Sequence, residues 1–181
     1  AARAGVDLIF HAFELDDECI DAVLKGGSAI APTLTFQRNI MEFTRAHAMG
    51  FIGPMALGVL AETTPDSGER VRALAEGEAL LAKGGLSHNY FDFYACAIDA
   101  ALDSRSWDEA DRYCDAIERY TAQEPVPWTD HIAARGRVLA RYGRGERNPG
   151  LLADIRRLRD EAAQARFDVR VGALDDALCR S

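Results

Sequence analysis

Three clusters of turn-forming residues, near positions 65, 105 and 145, cut most of this 181-residue chain into segments whose apolar residues recur every three or four positions. That recurrence is the period of a helix with one buried face. Phe91, Tyr94, Ala95, Ile98, Ala101 and Leu102 form one such stripe. Trp107, Ala110, Tyr113, Cys114 and Ile117 form the next, across a break at Ser104-Arg105-Ser106. Before them, Met55, Leu57 and Leu60 follow Gly53-Pro54, and Val71, Leu74 and Leu81 follow Pro65-Asp66-Ser67-Gly68. After Pro125 and Pro127, a third unit runs from Ile132 to Leu139, turns at Gly143-Arg144-Gly145, and resumes through Leu151, Ile155, Leu158 and Ala162. Val171 to Leu178 reads as a last, capping helix. Helical hairpins spaced by about forty residues are the grammar of stacked repeats, in which no unit buries its apolar face alone and neighbours supply the core.

The first 36 residues follow a different grammar. Gly5 to His11 is a short β-prone run, Leu15-Asp16-Asp17-Glu18 opens a helix carrying Ile20, Val23 and Leu24, and Gly26-Gly27 stops it. Ser28 to Leu34 then reads as a second strand, closed by Pro32. Strand, helix and strand in so short a span predict a βαβ unit of a parallel sheet. Two parallel strands do not make a stable sheet alone, so the segment reads as incomplete. The expected fold class is therefore mainly α: stacked antiparallel helical hairpins with a short N-terminal βαβ-like segment. The expected division is residues 1–36 and 37–181, with a helix over 37–49 (Ile40, Met41, Phe43, Ala46) starting the series.

Charge narrows the range of partners. Against 21 Lys+Arg stand 29 Asp+Glu, a net charge of −8, which argues against nucleic acid. No apolar run approaches the roughly 20 residues that a membrane-spanning helix needs. The imbalance is local, however: residues 135–170 hold ten arginines and five acids, so everything outside that window is more acidic still. One reading is a solvated helical surface, the other a docking patch for an acidic partner or neighbouring domain. Cys19, Cys96, Cys114 and Cys179 lie scattered, without a CxxC or a His at zinc-finger spacing, which suits a reducing cytoplasm. The first residue is Ala1 rather than Met, and the expectation is a piece of a longer protein.

Ser106-Trp107-Asp108-Glu109-Ala110-Asp111-Arg112-Tyr113 resembles the start of the second helix of a tetratricopeptide (TPR) repeat, where an aromatic residue, two polar residues and an alanine pack the hairpin. The Gly that precedes the aromatic in that pattern is Arg105 here, and the terminal Pro falls late, at Pro125. More broadly, residues from about 50 to 180 resemble the C-terminal helical-repeat region of multidomain bacterial adenylate/guanylate cyclases and related ATPase-bearing regulators. The segments that carry this are Gly53 to Gly58, Ala75 to Ala82, Ser87 to Tyr94 and Glu124 to Trp128. The resemblance implies a TPR-like α-solenoid serving as a non-catalytic interaction or regulatory module, its partner a protein or a neighbouring domain of a longer chain. No cofactor is expected, for the sequence holds neither a GxxxxGK[ST] phosphate loop nor a cyclase domain with its metal-binding aspartates.

The leading segment resembles another family. Ala4 to His11, Leu15 to Glu18 and Ile30 to Thr35 are similar to a late βα segment of the amidohydrolase superfamily, with Phe10-His11-Ala12 where that family usually has Glu-His-Gly. The resemblance implies His11 as a metal ligand, and a fragment of a metal-dependent hydrolase of C–N bonds as the alternative function. A hydrolytic metal site needs about three protein ligands and an open water position. The sequence offers no His-x-His pair and no bridging Lys. A third reading joins two unrelated pieces near residues 36–45, by gene fusion, frameshift or assembly error.

Other residues with site chemistry have structural readings beside the functional ones. Asp16-Asp17-Glu18 suits the positive end of a helix better than a cation, since consecutive residues point in different directions. Ser87 is placed to cap the helix of Phe91, with His88 in its first turn. His47 and His131 pair with no other His at ligand spacing. Trp107 and Trp128 read as anchors at hairpin joints rather than ligand platforms.

Overall fold

The computed structural model describes residues 8–10, 29–31, 52–167 and 170–180. The chain divides into two compact units, Ala1–Met49 and Gly50–Ser181. In the first unit β1 (Leu8–Phe10) runs parallel to β2 (Ala29–Ala31), with Leu8, Ile9 and Phe10 opposite Ala29, Ile30 and Ala31. The helix expected between them, and the helix expected over 37–49, lie outside the described residues.

The second unit contains seven helices among its described residues. Hairpin one is α1 (Gly53–Thr63) and α2 (Ser67–Leu81), hairpin two is α3 (Ser87–Asp103) and α4 (Trp107–Thr121), and hairpin three is α5 (Pro127–Gly143) and α6 (Pro149–Ala165). A shorter α7 (Gly172–Cys179) follows. All three connections fall where the turn residues predicted them. Proline starts α1, α5 and α6 from within the first turn, where its missing N–H has no helical partner to lose. Asp66 caps α2, its Oδ1 accepting from the amides of Gly68 at 2.7 Å and Glu69 at 3.0 Å, and those bonds hold its carboxyl below the usual range. Ser87 does not cap α3: the cap position is Leu86, and Ser87 lies inside the first turn.

Hairpins two and three repeat closely. Helices α3 and α5 are both 17 residues long and start at Ser87 and Pro127. Each ends in the same way. The amide of Ser106 reaches back to the carbonyl of Ala101, and the amide of Glu146 to that of Arg141, over a left-handed residue at Arg105 (φ 56°) and Gly145 (φ 96°). Arg105 thus holds the conformation that Gly145 adopts freely. A left-handed side-chain-bearing residue costs about 1–2 kcal/mol. Arg105→Gly is therefore expected to raise the urea midpoint, by an amount equivalent to about 1 kcal/mol; a fall would show that the guanidinium contributes more than the strain removes.

Packing follows the repeat. Helices α1, α3 and α5 lie side by side in one row, each backed by its hairpin partner, and α7 packs on α5 and α6. Helix α3 departs from the expected single stripe. Every residue from Ala95 to Ala101 is buried, because α1, α4 and α5 surround it. Ala95, Ala97, Ala100 and Ala101 keep that crowding sterically possible. The main core gathers Phe93, Ile98, Ile117 and Ile132, and a second holds Leu151, Ile155, Leu158 and Leu174. The first hairpin packs through small residues instead, with Ala61 and Ala73 buried, while Val71, expected on the inner face, is 66% exposed.

The arginine-rich window finds its acids mainly in this same chain. Arg137 meets Asp115 and Glu118, Arg144 meets Asp108 and Asp111, Arg135 meets Asp99, and Arg170 meets Glu62 and Asp99. Part of the uneven charge along the sequence is thus complementarity between the second and third hairpins, carried by Arg135, Arg137 and Arg144. The exposed pairs contribute little each.

Candidate functional site

The row of α1, α3 and α5 carries a group of charges that no local motif announces. Asp99 sits in the middle of the buried run of α3. Its Oδ1 accepts from Nη1 of Arg135 on α5 at 2.6 Å, and its Oδ2 from Nη1 of Arg170 in the connection before α7. Arg170 also meets Glu62 of α1, at 3.1 Å, and the Sγ of Cys96 at 3.2 Å. Nε of Arg135 donates to the carbonyl of Arg170 at 2.6 Å. Two arginines and two carboxylates therefore join three helices and the last connection around one point. The Arg135 side chain is 4% exposed. Burial pulls its guanidinium down to about 10, with Glu62 and Asp103 opposing, so it stays charged at neutral pH. Burial is the largest single influence on Arg170 and acts against its charge, but the hydrogen bonds and charge of Glu62 together with Cys96 outweigh it and raise its pKa.

Beside this group lies a cavity of about 340 Å³, bounded by α1, α3, α5 and α7. Its walls combine Trp107 and Tyr142 with Leu102, Leu139 and Ala177, and its rim carries Asp103, Asp176 and Arg180. Trp107 is half-buried against the end of α5 at Gly143, and Trp128 is half-buried against the main core. A second groove, of about 450 Å³, separates α2 from α3 and α4. Val71, Leu74 and Tyr113 line it, and Arg112 bridges Glu78 and Glu109 at its edge.

His11, Asp16, Asp17, Glu18, Cys19 and His47 lie outside the described residues. His88 is half-buried in the first turn of α3. Cys114 is fully buried in the core, as its place in the stripe predicts, and Cys179 is exposed. Burial pushes the thiols of Cys96 and Cys114 up to about 12, so neither is a nucleophile at neutral pH. Among the described residues no group of three or more His, Cys, Asp or Glu is placed to hold a metal ion, and no helix is long and apolar enough to cross a membrane.

His131 is buried on α5 with its Nδ1 unpartnered, its ring 5.6 Å from that of Phe167. Burial lowers its pKa, Arg135 and Arg157 add to the effect, and Glu161 opposes it. The folded state therefore keeps the neutral ring while the unfolded chain takes up a proton near pH 6.5. Stability is expected to fall as pH drops through that value. The melting temperature of a His131→Leu variant should change less between pH 7.5 and 5.5 than that of the parent. Equal changes would place the titrating groups elsewhere.

The charge group went unseen in the sequence because its members are 36, 71 and 108 residues apart. A single signal was available: Asp99 interrupts the otherwise apolar run from Ala95 to Ala101. No family model, curated protein or solved structure matches this chain.

Proposed function

We propose that residues 53–180 are a non-catalytic helical-repeat module, TPR-like in kind, that binds a protein segment and serves a regulatory role within a larger signalling protein of the multidomain cyclase type. The observation that carries this reading is the recurrence of first-helix length, row position and left-handed turn between the second and third hairpins. Stacked hairpins offer an extended face built from the first helix of each pair, and such faces commonly bind extended or helical segments of other proteins. The buried thiols and the paired carboxylates favour a binding role over a chemical one.

The test is a peptide array probed with the full 181-residue chain, followed by titration of the sequences retained. Saturable binding to a discrete set of peptides, abolished by thermal unfolding, is the expected result. A chain that melts cooperatively yet binds no peptide and no candidate signalling domain would overturn the reading.

A further inference from the structure

The cavity bounded by α1, α3, α5 and α7 has a chemistry that selects its occupant. Of its acidic lining residues, Asp99 is engaged by Arg135 and Arg170, Glu62 by Arg170, and Asp176 by Arg180. Asp103 is exposed on the rim and forms no hydrogen bond or ion pair among the described residues. Among the lining carboxylates Asp103 is therefore the one left without a guanidinium in contact. The walls behind it are the indole of Trp107, the ring of Tyr142, which already carries the Arg147 guanidinium on one face, and the aliphatic side chains of Leu102 and Leu139. A carboxylate at the mouth and aromatic faces in the wall favour a cation with apolar neighbours over an anion. The same face already accepts a guanidinium, since Arg170 is held there by Glu62 and Asp99. At about 340 Å³ the space is at the low end for ligand pockets, enough for one or two side chains rather than a cofactor.

From this geometry we infer that the cavity docks a basic protein segment, an arginine pairing with Asp103 while an adjacent apolar residue packs against Trp107 and Leu139. The inference rests on the interaction-module reading and gives it a partner chemistry. The net charge of −8 steers such a segment toward the chain, and the cavity fixes where it stops.

The experiment uses a fluorescein-labelled octapeptide of alternating arginine and leucine, titrated into the full chain by fluorescence anisotropy. Two analogues replace arginine with citrulline, which keeps the shape and removes the charge, or with glutamate. Saturable binding of the arginine peptide is expected, with at least tenfold weaker binding of both analogues. Asp103→Lys should weaken the arginine peptide at least tenfold. Glu76→Lys, which makes the same charge change on an exposed position of α2 away from the cavity, should change the affinity less than twofold. Melting curves of both variants confirm that each is folded. Equal weakening by the two variants would reduce the binding to diffuse attraction and overturn the inference, as would equal binding of the glutamate peptide. If the arginine peptide fails while the array yields other ligands, the basic-segment inference falls and the interaction module stands. If neither assay finds a ligand, both fall.

Discussion

Replacing Phe93 with alanine is expected to destabilise the helical unit by about 3–5 kcal/mol, the range for deleting a fully buried aromatic side chain. Phe93 is 0% exposed and lies where three helices meet. Its ring packs so tightly against α2 that a Cβ built on Gly77 would stand 2.1 Å from it. The ring fills a space that only a missing side chain leaves open, and the helices have little room to collapse after its removal. Gly77 supplies the second half of the test. In the parent chain, Gly77→Ala gains about 1 kcal/mol of helix propensity but loses about 1–3 kcal/mol to overpacking. In the Phe93→Ala background the clash is gone, so the same change should become stabilising. A double-mutant cycle in urea, with constant slope, measures the coupling. Additive effects, or a cost under about 1 kcal/mol for Phe93→Ala, would mean that α2 is not seated on that ring.

The second large effect is expected at Asp99. Asp99→Ala removes the carboxylate that faces both Arg135 and Arg170, while Arg135 stays buried with its charge. Breaking a buried pair from one side costs about 3–5 kcal/mol, mostly because the remaining charge is uncompensated. Removing both charges together, as Asp99→Leu with Arg135→Met, should cost clearly less than Asp99→Ala alone, since no buried charge is left without a partner. Urea denaturation of the single and double variants gives both numbers. If the double variant is the less stable, the ion group contributes net attraction beyond its desolvation cost, and its burial is itself a source of stability.

What the sequence revealed and what it concealed divide along a physical line. Local patterns placed the turns at Asp66, Arg105 and Gly145 and the inner face of α4, because helix period and turn chemistry act over a few residues. The same local view mistook α3. A stripe of Phe91, Tyr94 and Ile98 describes a helix covered on one side, whereas burial of Asp99 and Ala100 depends on how many neighbours surround it. Val71 failed for the converse reason: its helix meets α1 through Ala73 and leaves the larger side chain outside. The candidate cavity was not legible, since Asp103, Trp107, Tyr142 and Asp176 come from separate elements and share no spacing rule. The aspartate inside an apolar run was the one clue to the charge group beside it. His11 falls outside the described residues, and the short parallel pair beside it shows no site, so the amidohydrolase resemblance rests on the residues quoted for it.

The arginines of the third hairpin that meet the acids of the second do more than add weak attractions. Arg144, just after α5, meets both Asp108 and Asp111, and Arg137 meets both Asp115 and Glu118, so all four acids of that face of α4 are engaged at the offset the hairpins take. Sliding either helix by a single turn would break the match at one end of the row only, since Asp108, Asp111, Asp115 and Glu118 recur every three or four residues. Such a row of opposed charges behaves like a toothed edge: the apolar core supplies the grip, and the teeth decide where the two hairpins come to rest. Hairpins built with the same apolar stripes but with these charges neutralised would still adhere, with less to fix their alignment.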